Sequence, residues 1–369
     1  GIGLFLGGWI VELWPSAYPL STNAPFGLKA WQAAFIIVGL PGVILAFFTW
    51  NIKEPKRGGS EGIECQIEPH PFKAMFKEFI GISPLGLIKS DQPMKLLSIN
   101  ILIGIIISLI CFGLYRLTGD TVQWVAFGIG IYFLTCWIQG LKSRDPVTFE
   151  MIFKTKSFLL IVIGFPFISF ITYSMAAFGP SFYMRNYGIT EAEVATILGL
   201  ITAFSGSIGV IGGGIIADKL RKKYTNGRLY VGLAVVVFGV PAALAFLYAD
   251  NLYASYVYYS IFQLITPMWV GIAPATVSDL VLPRMRGLAS AFYLLVVSMI
   301  GLALGPYCIG KLSDVYQSTG YSSGEALRAA LSMGLFALII TTITLVLACY
   351  YLPRDEASKA ERAKALGEV

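Results

Sequence analysis

Nine stretches of at least 20 residues in this chain contain no Asp, Glu, Lys or Arg: 30–52, 96–115, 121–141, 157–184, 194–217, 229–249, 251–278, 287–310 and 329–353. A helix needs ~20 mostly apolar residues to cross a bilayer core, and a charge left at the bilayer centre is expensive. Each stretch is therefore expected to be one complete span. A tenth, 1–11, is cut short by the first residue and reads as part of another. Composition agrees: 56% of the residues are apolar and 13% charged, whereas soluble domains run at about a quarter charged. The fold expected is an all-α polytopic membrane protein with nine complete spans plus one partial. The two or three soluble domains that 369 residues could otherwise form are excluded.

The loops between these spans alternate sides, which assigns every basic residue to one face. One face receives 22 of the 27 Lys and Arg residues; the other receives Lys29, Arg116, Arg185, Lys311 and Arg328. Basic residues accumulate on the cytoplasmic side of membrane proteins. The richer face is therefore read as cytoplasmic, the C-terminal segment included, and the membrane as the inner (plasma) membrane. The +6 net charge records this orientation rather than nucleic-acid binding. The sequence opens on Gly1 inside an apolar run with no signal-peptide pattern, and is read as a fragment lacking upstream helices.

Several function classes find nothing to build on. The five cysteines, Cys65, Cys111, Cys136, Cys308 and Cys349, form no CxxC pair, and four lie inside spans, where they act as small apolar fillers. His70 is the single histidine, set in a polar loop. No metal site, cofactor or Ser–His arrangement is expected, and an intramembrane enzyme would need paired acids or such an arrangement at membrane depth.

The organisation reads as 1–52, a helix pair; 53–95, a long basic loop; 96–141, a two-span hairpin; 142–156, a second basic loop; 157–353, six spans; and 354–369, a tail. Within 71–80 the apolar residues Phe72, Met75, Phe76, Phe79 and Ile80 share a helical face with lysines opposite, as expected of a helix lying on the membrane surface or packed on neighbouring loops. Residues 3–12 can be laid on 305–314, with Gly at the first and sixth positions of both and an acid closing both. Repeated halves mark secondary transporters.

The strongest local signal is Gly212-Gly213-Gly214-Ile215-Ile216-Ala217-Asp218-Lys219-Leu220-Arg221-Lys222-Lys223, between the second and third of the six final spans. It resembles the G-x-x-x-D-[RK]-x-G-[RK]-[RK] loop of the major facilitator superfamily, although Arg221 stands where that pattern has its second glycine. Arg284-Met285-Arg286-Gly287, followed by Gly301, Gly305-Pro306 and Gly310, is similar to the fourth-to-fifth helix passage of a facilitator half. Trp31 through Gly42, with Glu54-Pro55-Lys56-Arg57-Gly58, is similar to helix six of the spinster-like branch. The resemblance implies that residues 1–52 hold helices five (partial) and six, that 157–353 are helices seven to twelve, and that helices one to four are missing. It implies a cytoplasmic latch made by Gly214, Asp218, Lys219, Arg221, Lys222, Arg284 and Arg286, with Gly301, Gly305, Pro306 and Gly310 packing helices. The hairpin at 96–141 departs from the twelve-helix plan; packing against lipid is the default reading.

A path between two halves should be lined by the few polar or aromatic groups in apolar helices. Ser169, Thr172 and Tyr173 share one face; Gln263, Thr266 and Trp269 follow at near-helical spacing beside Pro267; Tyr293 and Ser298 come later. Each could instead bond its own helix backbone or anchor at the interface. Gln263 stands out because a mid-membrane amide needs partners. With few charges at depth, such walls suit an amphiphile. The function expected is secondary active transport of a small, lysolipid-like solute by alternating access, coupled to protons, by a monomer in a lipid bilayer. The alternatives are an organic anion or sugar-acid permease of the same superfamily, and a non-transporting receptor or scaffold.

Overall fold

The computed structural model describes residues 2–19, 23–53, 70, 72, 75–76, 80–81, 83–87 and 93–366. Among the described residues the regular structure is helical, with no strand. Helices are what a bilayer demands, since only they and closed barrels satisfy every backbone N–H and C=O without water. In chain order they are α1 Ile2–Ala17, α2 Ala30–Trp50, α3 Pro93–Thr118, α4 Thr121–Arg144, α5 Pro146–Phe153, α6 Lys156–Tyr187, α7 Glu191–Lys223, α8 Gly227–Leu247, α9 Leu252–Asp279, α10 Pro283–Ser318, α11 Ser323–Ala357 and α12 Lys359–Ala365. Nine of them, α2 to α4 and α6 to α11, are long and apolar enough to cross a membrane. They coincide with the nine charge-free stretches.

Polar caps set where several spans begin. Thr190 accepts the Glu193 N–H at 3.3 Å ahead of α7, and Asn251 accepts the Ala254 N–H at 2.9 Å ahead of α9. Ser322 and Glu325 bond reciprocally at the start of α11. Such caps satisfy amides the helix itself leaves open. Four spans are locally distorted, α11 by a short 3-10 turn at Leu335–Ala337. A π-helical turn occupies Thr202–Gly206 in α7 and another Ser298–Leu304 in α10, and a 3-10 turn occupies Thr266–Trp269 in α9. The last two flank prolines: Pro306 cannot donate into the preceding turn, and Pro267 opens its own.

By packing, the chain divides into two compact units. The first comprises 1–56, 167–273 and 305–343. Here α1 lies so close to α7 that a Cβ on Gly8 would come within 2.6 Å of the Ala195 side chain. Its aromatic core gathers Phe182, Tyr183, Phe246, Tyr259 and Phe262, all nearly fully buried. Rings contact edge-on, as Phe246 does with Tyr259 at 5.3 Å, or stack, as Tyr183 does with Tyr256 at 5.1 Å. Lipid is as apolar as these side chains, so dispersion and close fit hold the helices together.

The second unit comprises 57–166, 274–304 and 344–369. It contains the hairpin α3–α4, whose helices are bridged by a polar cluster. Asn100, fully buried, donates to Cys136 Sγ at 3.1 Å and Gln139 Oε1 at 3.0 Å, and accepts from the Tyr132 hydroxyl. The segment 142–156 holds the short helix α5. Residues 354–366 are largely helical and packed: Asp355 accepts the Ser157 N–H at 2.8 Å at the start of α6, Lys359 donates to the Asp279 carbonyl at 2.9 Å, and Arg362 donates to Thr155. Burial lowers the Arg362 pKa, and the Asp355 charge offsets part of that. Of the surface helix expected over 71–80, Phe72, Met75, Phe76 and Ile80 are helical and exposed; its other positions lie outside the described residues.

Candidate functional site

The glycine-rich run that ends at Asp218 has a packed half and an open half. A Cβ on Gly209 would meet the Leu264 carbonyl oxygen at 2.2 Å, and one on Gly213 would meet Met268 Cα at 2.6 Å, so α7 and α9 touch backbone to backbone at a four-residue interval. Small residues at this spacing are what lets two helices approach so closely. Gly214, the glycine the motif register singles out, has open space where a Cβ would go; the close contact belongs to Gly213. Beyond it the chain emerges. Asp218 is 67% exposed and reaches Arg228 Nη2 at 3.3 Å, ten residues on. Lys219 and Lys222 are exposed, and Arg221 donates to the Thr225 carbonyl. The turn that Arg221 leaves without the motif's second glycine closes through Gly227, where a Cβ would fall 2.3 Å from the Leu220 carbonyl carbon. An ion pair this exposed contributes about 0–1 kcal/mol, so Asp218 is held weakly.

The packing glycines separate in the same way. Gly305 lies against α6, where a Cβ would meet the Phe170 carbonyl oxygen at 2.6 Å, and Gly310 lies against Phe178 two turns further along. Gly301 is buried in the π-helical turn and Pro306 follows at its end.

The path residues fall into two groups. Tyr173 is 38% exposed, Ser298 is exposed, and Thr172 is half-buried with its hydroxyl on the Ile168 carbonyl. Ser169, Gln263, Thr266, Trp269 and Tyr293 are buried. Thr266 donates to the Phe262 carbonyl at 2.8 Å, the local backbone bond open to any helical threonine. Gln263 does more: its Nε2 donates to Thr202 Oγ1 at 2.9 Å, in the π-helical turn of α7, and the Tyr259 hydroxyl bonds the same threonine. A mid-membrane amide has found a neutral partner on another helix. Thr202, Tyr259 and the hydrogen-bonded Tyr183–Ser255 pair at 2.9 Å were not picked out from sequence. For Ser255 and Tyr259 the signal was available, as hydroxyls and an amide repeating at helical spacing along α9.

The other basic loop makes a longer connection. Arg284 donates to Asp145 at 2.8 Å and 3.4 Å through its two terminal nitrogens. Asp145 is the single residue between α4 and α5, and it caps α5 by accepting from the Thr148 N–H at 3.0 Å and the Thr148 hydroxyl at 2.6 Å. Burial alone would raise its carboxyl. The hydrogen bonds from Arg284 and Thr148, with the Arg284 charge, outweigh that and hold it below the ordinary carboxylate value. Arg286 donates to the Ser278 carbonyl at 3.2 Å. Among the described residues no group of three or more His, Cys, Asp or Glu side chains could hold a metal ion.

An apolar multi-span chain with a glycine-packed helix, an acid and a basic turn has a direct counterpart in known sequences. The profile of the Major Facilitator Superfamily matches residues 1–306. This chain belongs to the major facilitator superfamily. The superfamily's members are membrane transporters, not enzymes, and among them the chain is similar to an efflux pump and to spinster proteins. It is 32% identical over 231 residues to an MFS-type efflux pump of Mycolicibacterium smegmatis, covering 59% of this chain and 52% of that protein. It is 29% identical over 196 residues to protein spinster homolog 1 of Xenopus laevis, covering 50% of this chain and 36% of that one. The chain thus spans about half the length of the pump and about a third of the spinster protein. In three dimensions it is similar to the crystal structure of a bacterial homolog to the human lysosomal transporter Spinster, inward-facing and unoccupied. The TM-score is 0.56 at 18% identity, over 96% of this chain and 68% of that one. At that identity the likeness speaks for the fold.

Proposed function

We propose that this facilitator works as a secondary active transporter that moves a small amphiphilic, lysolipid-like solute by alternating access, coupled to protons. In this reading the basic loops and the C-terminal segment face the cytoplasm from the plasma membrane, which the 22-to-5 split of basic residues supports. Residues 1–52 are the last helices of one half, 157–353 form the other half, and the hairpin is an insertion between them. Asp218 and its basic neighbours form the releasing part of the cytoplasmic gate, and Arg284 and Arg286 belong to a second basic loop on the same membrane face.

The observation that carries the substrate class is the Gln263–Thr202 pair. The polar groups singled out at membrane depth are an amide, hydroxyls and an indole set among aromatic rings, which recognise a weakly polar or zwitterionic solute. A sugar acid calls for a fixed cation at that depth. The exposed Asp218–Arg228 pair supports the gating role, because a latch has to release as well as close.

The test is flux through the full protein in proteoliposomes, following a lysophospholipid with and without an imposed pH gradient and a small organic anion in parallel. Gradient-dependent lysophospholipid flux is the expected result. Flux of the anion alone would overturn the substrate class, and flux insensitive to the gradient would overturn proton coupling.

A further inference from the structure

The inserted hairpin does not end loosely at its junction with the six-span half. Its second helix, α4, presents Trp137 to Phe292 of α10, with ring centroids 5.7 Å apart and planes at 19°. Phe153 of α5 meets the same ring edge-on at 5.1 Å, and Phe158 of α6 stacks near it at 6.4 Å. Phe292 is thus seated in a socket built by three successive elements, and it is buried. About two turns further along α10, a Cβ on Gly130 of α4 would lie 3.3 Å from Met299 Cε. At the other end Asp145 joins α4 to α5, caps α5 and binds Arg284 at the start of α10. Contacts between α4 and α10 therefore run from the basic loop into the span.

The hairpin is also tied together internally. Asn100 ties α3 to three positions of α4, Tyr132, Cys136 and Gln139, which lie on one helical face. Trp124 Nε1 donates to Thr118 Oγ1 at 2.6 Å across the turn. A Cβ on Gly128 would meet Cys111 Sγ at 2.9 Å, so the two helices lie in close contact between those ties. Lipid tails offer no donor or acceptor in place of these bonds.

We infer that the hairpin is a fixed brace on the helix that carries the Arg284–Arg286 loop, and that Asp145 is the positioning residue that locks the brace to that loop. The inference rests on the transport reading for its consequence but not for its geometry. In the cycle, α4, α5 and the first part of α10 move as one body, and the Asp145–Arg284 contact stays closed in every state. This gives the pair the opposite duty to a gate contact, which has to open.

A covalent replacement of the pair separates these duties. In the full protein carrying Cys65→Ser, the double variant Asp145→Cys, Arg284→Cys is joined by a short bifunctional thiol reagent, and flux is compared before and after joining. The unjoined form is expected to run roughly twofold to fivefold below the parent, the size set by a partly exposed ion pair and a helix cap. The joined form is expected to return to within about twofold of the parent, since a contact that never opens loses nothing by being made permanent. Joining that stops flux, or failure of the two thiols to join, would overturn the brace. If the parent itself moves no solute, the transport reading fails and the brace is read from thermal unfolding alone. It then predicts a higher midpoint for the joined form than for the unjoined one, and equal midpoints would overturn it.

Discussion

Two basic loops of this facilitator are built from the same kinds of residue and held in different ways. At the α7–α8 turn, Asp218 binds Arg228 only ten residues away, and the carboxylate is mostly in solvent. At the start of α10, Arg284 binds an acid 139 residues away that is itself fixed by a helix cap, beside an aromatic socket. An exposed local pair can trade partners at almost no cost. A pair whose acid also satisfies two other donors cannot, because breaking it leaves several groups unmatched. Like motifs therefore need not do like work: on the proposal made above, the first loop lets go and the second holds.

The largest effect that sharpens this contrast is expected where α7 is pinned before it emerges. Gly213→Leu drives a side chain into the Met268 backbone, and membrane-inserted folded protein should fall at least roughly tenfold, as overpacking without room to relax implies. Gly214→Leu, with open space at the same depth, should leave the yield near the parent's. Equal losses at the two positions, measured as monodisperse protein after extraction, would erase the distinction between pinned and open faces. Next, Trp137→Ala should lower stability by about 3–5 kcal/mol, the usual cost of emptying an aromatic site, seen as a drop in the thermal midpoint. A drop no larger than that of a lipid-facing control such as Val125→Ala would remove the socket from the account. Third, Asp218→Asn should depress flux by roughly tenfold, about 1.4 kcal/mol of barrier, with insertion and midpoint unchanged. Normal flux would take Asp218 out of the gate. The smallest effect is expected at Asp145→Asn, which keeps the cap and removes the charge, worth about 0–1 kcal/mol. The charged group facing Asp145 is Arg284, and the folded carboxyl lies below its ordinary value of 3.8. The stabilisation is therefore present above that value and lost as pH falls through the folded one. The midpoint gap between parent and variant should stay level from about pH 8 to about pH 5 and close only below about pH 4. A gap that closes near neutrality would put another group in control.

The spans were legible because a bilayer punishes charge, so the charge-free stretches and the helices coincide. Which side of each helix packs was not legible, because membrane helices are apolar all round and carry no stripe that distinguishes core from lipid. That is why Trp137, Phe153 and Phe158 gave no sign of converging on Phe292. The motif register names Gly214 for the latch, and the contact with α9 is marked by the four-residue interval Gly209–Gly213, equally visible in the sequence. Gln263 was found because a buried amide requires a partner; by the same reasoning Asn100 and Gln139 could have been found in the hairpin. Asp145 carries no sequence pattern that sets it apart, and its connection to Arg284 is written only in the fold.

The measurement that bears most directly on a releasing loop and a holding loop is hydrogen exchange on the full protein in lipid nanodiscs, with and without lysophospholipid. The account predicts that exchange changes on ligand addition at 219–227 and stays the same at 146–153 and 284–292. Exchange that changes at 146–153 as much as at 219–227, or that leaves 219–227 untouched, would contradict it.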